Sequence, residues 1–570
     1  MLIDPRQGDL EDDASSPKRH SIMALAGSLL VEVSIPKLAL AWLLLLIVPA
    51  LALGTAPLVA TAWVRAVWGT IAAPFAGIGP GLVLLAALGA AWLGGRRLVR
   101  LAEKSFWSLN SLAVEPGYVA CREILRHAAE RLMPELAREN LGTLRATSAM
   151  VSAILLLLLA LALLLVAWPS SRWLGTVADL TTPDVLIATA FANSAVLVAA
   201  YLGSAAIVSD AVMTQPRDLE RFDRADQACR LWRVAHLSDL HLVAERYGFR
   251  IESGRLGPRG NERVRATLDR LAAVHAADPL DLVLVTGDLT DAGLSAEWAE
   301  CLDALARQPE LAARILVLPG NHDLNVVDRA NPARLDLPMS PTRDLRKLRP
   351  LSAMDALQGD RVRVVDRERA CLGATLREIL HPHAADLAAF ADTGTPSVAA
   401  RLAGLWATLF PLVMPPDDAD GLGVILLNSN ADTHFSFTNA LGLVPEEQLR
   451  ALDVAANAMP RAVWIVALHH HLVEYPRPAK ALSERIGTAL INGNRVLRSL
   501  RRLAPRIVLM HGHRHIDWIG TADGLRIVSA PSPVMAPAAS VSTHFYVHTL
   551  ARTDGRPLLL LPPDRVTVER

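Results

Sequence analysis

Seven residues in the second half of this chain have the types and positions that a pair of metal ions would need. Asp239 and His241 stand two apart in SDLH, so on a turn both can reach one ion. Asp288, in GDLTD, offers a carboxylate whose two oxygens could bridge two ions. Asn321, in GNHD, adds a neutral carbonyl oxygen, useful where a further charge would over-neutralise the site. His469, first of the run HHH, and His513 and His515, in HGHRH, supply imidazoles. Oxygen and nitrogen ligands mixed in this way suit Mn, Fe, Zn or Co better than Ca or a cysteine-type structural zinc site. Two such ions about 3.5–4 Å apart can hold a hydroxide between them and clamp a phosphoryl oxygen, the chemistry of phosphoester hydrolysis.

The elements that must carry these groups form a pattern. LWRVAHL leads into SDLH, LDLVLVT into GDLTD, ARILVLP into GNHD, AVWIVAL into HHH, and RIVLM into HGHRH. Short Leu- or Val-rich runs alternating with Ala/Arg/Leu stretches from about residue 231 predict an α/β (α+β) domain built on a sheet. Five predicted strands thus deliver Asp, Asn or His at their carboxyl ends, where open α/β sheets build their sites. A chance scatter of seventeen histidines would not do so five times.

In that order, DLH, GDLTD, GNHD, HH and GHRH resemble the calcineurin-like metallophosphoesterase superfamily over about residues 231–535. GNHD, the doubled His and the GHxH ending look most like its bacterial cyclic-nucleotide and glycerophosphodiester phosphodiesterase branch. The resemblance implies a four-layer sandwich with the metals at the strand ends. It implies that Asp239, His241 and His515 hold a first metal, that Asp288 bridges, and that Asn321, His469 and His513 hold a second. Mn or Fe are the metals expected, with Zn or Co as alternatives. It further implies in-line attack by metal-bound hydroxide, with His322 contacting the phosphate and either His322 or a metal-bound water assisting the leaving oxygen. Asp291 and Asp323 are expected to orient histidines or backbone groups behind the ligands. His236, His381, His383 and His511 are expected not to be ligands, while His470 and His471 could compete with His469 for its place.

Two departures bear on the substrate. The histidine run continues as HHHLVEYP, where the branch places proline after its pair. The 147 residues between Asn321 and His469 exceed what the core needs, so about 324–421 is expected to be a helical insertion. It could cap the metals, limit substrate size, meet the membrane, or only pack. Arg343, Arg346 and Asn430 are polar groups to which the sequence assigns no role.

The chain has 570 residues, 52% hydrophobic and 20% charged, which rules out one ordinary soluble domain. Four long stretches without a formal charge precede residue 210, at about 38–64, 67–95, 146–171 and 185–209. Each is long enough for a membrane helix, which needs about 20 apolar residues. The expected order is a tail 1–37, a membrane region 38–210 with a basic loop 96–145, a linker 211–230, the domain 231–535 and closing strands 536–570. Arg and Lys crowd the tail, the middle loop (Arg96, Arg97, Arg100, Lys104, Arg122, Arg126) and the segment after residue 210, whereas the other loops hold only Arg65 and Arg172. That alternation places the tail, the middle loop and the catalytic domain in the cytoplasm, on a multi-pass inner (cell) membrane protein.

Lys+Arg and Asp+Glu both number 57, so no basic footprint for a nucleic-acid polymer appears. Four scattered cysteines give no disulfide framework or zinc ribbon. The expected function is a membrane-anchored phosphoesterase cleaving phosphodiester, or phosphomonoester, bonds. Its substrate would be a cyclic nucleotide, another phosphodiester or a lipid-linked phosphate, with membrane lipids as its other partner. The alternative is a membrane sensor or scaffold with a regulatory phosphoesterase-like domain, against which the complete ligand set argues. A transporter is disfavoured, because the spans hold almost no ionisable residues.

Overall fold

A computed structural model describes residues 1–7, 48–72, 115–135, 140–208, 216–225, 229–245, 260–328, 334–336, 340–402, 405–477, 488–535, 542–553 and 555–569, with isolated positions between 36 and 47 and at 82 and 89. It divides into a helical unit, Ile35–Met213, and a sheet unit, Met1–Ser34 with Thr214–Arg570.

The helical unit contains α1 (Val48–Ala72), α2 (Glu115–Leu132), α3 (Leu141–Ala167) and α4 (Pro183–Val208). α1 is continuous through Arg65, where the sequence predicted a loop between the first two spans. Beyond Ala72 the second predicted span lies almost wholly outside the described residues, as do residues 8–35 of the tail and 96–114 of the basic loop. Among the described residues, Leu141–Ser170 and Pro183–Gly203 are long and apolar enough to cross a membrane. α1 and α4 approach closely at Gly54, where a Cβ would lie 2.2 Å from Ser194 Oγ. Several buried polar groups pair inside the unit. Asn193 accepts from the Arg172 amide (3.1 Å), and Glu123 sits between Arg122 and Arg126 with almost no exposure. α3 instead turns Ile154, Leu155, Leu157, Leu158, Leu161 and Leu165 outward.

The sheet unit is built on two sheets. One has nine strands in the order β1 (Arg217–Asp218), β11 (Trp518–Ala522), β12 (Leu525–Ser529), β10 (Ile507–His511), β9 (Val463–Ala467), β8 (Leu422–Leu426), β7 (Leu412–Met414), β5 (Arg363–Asp366) and β6 (Cys371–Thr375). The other has six, β14 (Leu559–Leu560), β13 (Thr543–Arg552), β2 (Arg230–Leu237), β3 (Leu282–Val285) and β4 (Ile315–Val317), with β15 (Asp564–Val568) also on β13. β2, β3 and β4 run parallel, as do β8, β9, β10 and β12. Each sheet therefore gathers several carboxyl ends on one side.

Strict alternation sorts the central strands. Leu422, Val424, Leu426, Val463, Ile465, Ala467, Val508 and Met510 belong to one buried cluster with β2–β4, and to it α5 (Glu262–Ala277), α6 (Ser295–Ala306) and α7 (Pro341–Gln358) contribute. Ile425, Leu427, Trp464, Val466, Ile507 and Leu509 join a second cluster with α9 (Glu446–Ala458) and α10 (Gly493–Arg501). Helix, sheet, sheet and helix layers follow, because strands buried on both faces must be covered on both. Between α7 and α9 a further helix, α8 (Ala384–Thr393), lies in the insertion.

Three boundaries differ from the sequence reading. The insertion is not only helical, since β5, β6 and β7 extend the nine-stranded sheet at one edge. The expected linker contributes β1 to the other edge, where Asp218 accepts from the Trp518 indole (2.8 Å). The closing strands are not peripheral, because β13 pairs with β2 along seven residue positions.

Leu426 is fully buried between the sheets. Leu426→Ala is expected to cost about 2–5 kcal/mol through lost burial and a residual cavity, read as a lowered thermal midpoint of the detergent-solubilised chain.

Candidate metal centre

All seven predicted ligand residues converge where the carboxyl ends of the two sheets meet. β2 delivers Asp239 and His241, β3 delivers Asp288, and β4 delivers Asn321 from the six-stranded sheet. β9 delivers His469, and β10 delivers His513 and His515 from the nine-stranded one. Two triads could each hold a cation, Asp239–His241–His515 and Asp288–His469–His513. A third group, His241–Asp288–His322, overlaps both. Asp288 stands at the junction: its Oδ2 lies 3.2 Å from His469 Nε2 and 3.9 Å from His241 Nε2, while its Oδ1 accepts from the His322 amide (2.8 Å). Asn321 Oδ1 is 3.1 Å from His469 Nε2.

The backbone is held in an unusual state to achieve this. Among the described residues seven non-glycine positions have positive φ, and five of them are Asp239, His241, Asp288, His513 and His515. Left-handed backbone costs a non-glycine residue of order 1–3 kcal/mol and persists where the surroundings impose it. Gly287 precedes Asp288 at φ +97°, and a Cβ there would lie 2.5 Å from His469 Nδ1 and 2.8 Å from Gly320 Cα. Only glycine lets the two sheets close at this point.

A buried shell fixes which ring nitrogen faces inward. His469 Nδ1 donates to the Thr286 carbonyl (2.7 Å), and His513 Nε2 donates to the Thr488 carbonyl (3.1 Å). Their inner nitrogens then face each other at 3.2 Å. Two imidazole lone pairs so placed are satisfied by a cation between them, so the residues present fit a metal. His241 Nδ1 lies 3.2 Å from Asp291 Oδ1, while the Asp291 carbonyl takes His322 Nδ1 (2.6 Å). Asp323 accepts from Thr290 N (2.9 Å), Thr290 Oγ1 (2.6 Å) and Gly320 N (2.8 Å), tying the GDLTD turn to the GNHD turn. Both aspartates thus stand behind the ligands.

The other histidines serve the surroundings. His470 bonds Ser429 Oγ (2.9 Å), His471 approaches Glu474 (3.4 Å), His511 bonds the Gly512 carbonyl and His236 bonds Thr286 Oγ1 (3.0 Å). His381 and His383 lie in a helical turn within the insertion. Asn430 donates to the Pro319 carbonyl (2.8 Å), and Arg346 pairs with buried Asp336. Arg343 pairs with Asp432. Sequence reasoning missed Ser429, whose hydroxyl accepts from the amides of His469 (3.2 Å) and His470 (3.1 Å) and so aims the histidine run. Nothing local marks it; only its adjacency to Asn430 in VILLNSN hinted at a site.

Residues 233–366 match the calcineurin-like phosphoesterase family. The match covers this stretch of the sheet unit alone. No curated protein matches the chain. Among solved structures it is similar to a dimetal phosphatase from Danio rerio, at 12% identity over 59% of this chain and 98% of that one, with a TM-score of 0.34. A putative 5'-nucleotidase from Staphylococcus aureus is similar at 13% identity over 60% of this chain and 55% of that one, TM-score 0.29. A purple acid phosphatase from yellow lupin (Lupinus luteus) seeds is similar at 14% identity over 58% and 51%, TM-score 0.26.

Electrostatics in the phosphoesterase domain oppose and favour charge at neighbouring atoms. Burial, then the proximity of His322, lowers His241 to about 4, so it is neutral at pH 7 and ready to ligate. Burial also works against a charged His469, but the Asp288 and Asp239 carboxylates outweigh it and raise the imidazole to about 9. Without a cation His469 therefore holds a proton at pH 7 that a metal must expel. Metal uptake is expected to release about one proton, and affinity to rise about tenfold per pH unit up to about 9. Calorimetry in two buffers of different ionisation enthalpy measures both. Separately, Gly287→Ala is expected to lower stability by about 1–3 kcal/mol and to reduce the metal bound per chain, read by thermal melting and elemental analysis.

Proposed function

We propose that the chain is a membrane-anchored, dinuclear-metal phosphoesterase acting on phosphodiesters. The observation that carries the reading is the pair of buried ligand triads joined through Asp288, within the stretch that matches the phosphoesterase family. Asp239, His241 and His515 would hold one metal, Asn321, His469 and His513 the other, with Asp288 between them. The mixed oxygen and nitrogen set suits Mn or Fe, with Zn or Co as alternatives. Bound metals would supply Lewis-acid activation of water and neutralise charge on the phosphoryl group.

The chain's own groups do the rest. His322 spends Nδ1–H on the Asp291 carbonyl and its amide on Asp288, which leaves Nε2 of a half-buried ring to meet the leaving oxygen; as an imidazolium it would give that oxygen its Nε2 proton and be left neutral. Asp291 keeps His241 in one tautomer, and Asp323 keeps the two turns together.

Two long apolar helices support membrane anchoring, and the leucines that α3 turns outward support it further, since a bilayer would cover them. The charge asymmetry of the loops favours a cytoplasmic site on the inner membrane. Anchoring makes a lipid-derived diester a natural candidate beside cyclic nucleotides.

The full chain, purified in detergent and loaded with Mn²⁺, is expected to cleave bis-p-nitrophenyl phosphate faster than p-nitrophenyl phosphate. Asp288→Ala is expected to abolish both. His322→Ala is expected to lower kcat about a hundredfold or more while keeping its metals. Monoester cleavage alone would overturn the diester assignment, and absence of turnover with two metals bound would overturn the enzyme reading.

A further inference from the structure

The first residues of the chain lie on the phosphoesterase domain, although the whole helical unit separates them in sequence. Ile3 is 5% exposed and belongs to the same buried cluster as Trp298 of α6 and Leu351 of α7. Its amide donates to Ser352 Oγ (2.8 Å), and that hydroxyl donates back to the Ile3 carbonyl (3.2 Å). The Pro5 carbonyl accepts from Ser295 Oγ (3.1 Å), and Arg6 Nε donates to Asp303 (2.7 Å). Residues Pro5–Gln7 form a helical turn against α6.

The two serines gripped in this way flank the groups that hold the turn at 291–294. Glu297, two residues after Ser295, accepts from the amides of Ala292 (2.8 Å) and Leu294 (3.1 Å). Arg349, three residues before Ser352 on the same helix, donates to the Gly293 carbonyl (3.0 Å). That turn begins at Asp291, whose carboxylate meets His241 and whose carbonyl meets His322.

We propose that Ile3–Arg6 is an intramolecular strap that positions His241 and His322 through the 291–294 turn. The positioning role rests on the phosphoesterase reading proposed above; the strap itself does not.

The test uses the full chain. Arg6→Lys is expected to give a carbodiimide-formed amide between residues 6 and 303, located by peptide mass mapping. Ile3→Asp in that background is expected to abolish the cross-link and to lower kcat about tenfold with KM within about twofold and metal content unchanged; Ile3→Val should keep both at the level of the parent chain. Absence of the cross-link in Arg6→Lys would overturn the strap. A cross-link lost in Ile3→Asp with kcat unaltered would overturn its positioning role. Because the cross-link is read without turnover, an inactive wild type would count against the phosphoesterase reading alone.

Discussion

One buried carboxylate, Asp288, sets the terms for the rest of the sheet unit. Its two oxygens face groups from both sheets, His469 from the nine-stranded one and the His322 amide from the six-stranded one. Burial disfavours its charge, yet the His469 and His322 imidazoles outweigh that and keep it well below the usual carboxylate range. A charge so placed is tolerable only when its partners cannot move away. The sheets must therefore meet at one separation, and Gly287 and Gly320, where a Cβ would strike His469 and Asp288, are what allow that separation.

The same logic explains the shell around the ligands. Asp323 and Glu297 are buried carboxyls pushed up by burial, then by a neighbouring aspartate, to about 6 and about 8. Each spends its oxygens on backbone amides of the turns that carry the ligands, so polar groups that would be costly alone become the fasteners of the site. Left-handed backbone at five of the candidate ligand positions is the strain those fasteners contain.

The helical unit solves a different problem. Its charged groups pair with one another at Glu123 and Arg126 and at Glu130 and Arg145, and its small residues let α1 and α4 pack closely at Gly54. Its described core is apolar as well, Leu156 and Ala160 packing with Ala199 and Leu202, while α3 turns a row of leucines outward.

Local pattern alone determined the strands β2, β3, β4, β9 and β10 and the residues at their carboxyl ends, because short apolar runs and the turns that end them are written within a few neighbouring positions. The seven ligand candidates, with His322, Asp291 and Asp323, came from those same short stretches. Only the tertiary structure decided that β5–β7 of the insertion continue the nine-stranded sheet, that β1 lies in the supposed linker, and that Ser429 aims the histidine run. It alone placed Ile3 against Ser352, a contact spanning 349 positions. An edge strand, a hydroxyl and a short strap have too few residues to leave a period, and their partners are chosen by which surfaces the folded sheets leave open.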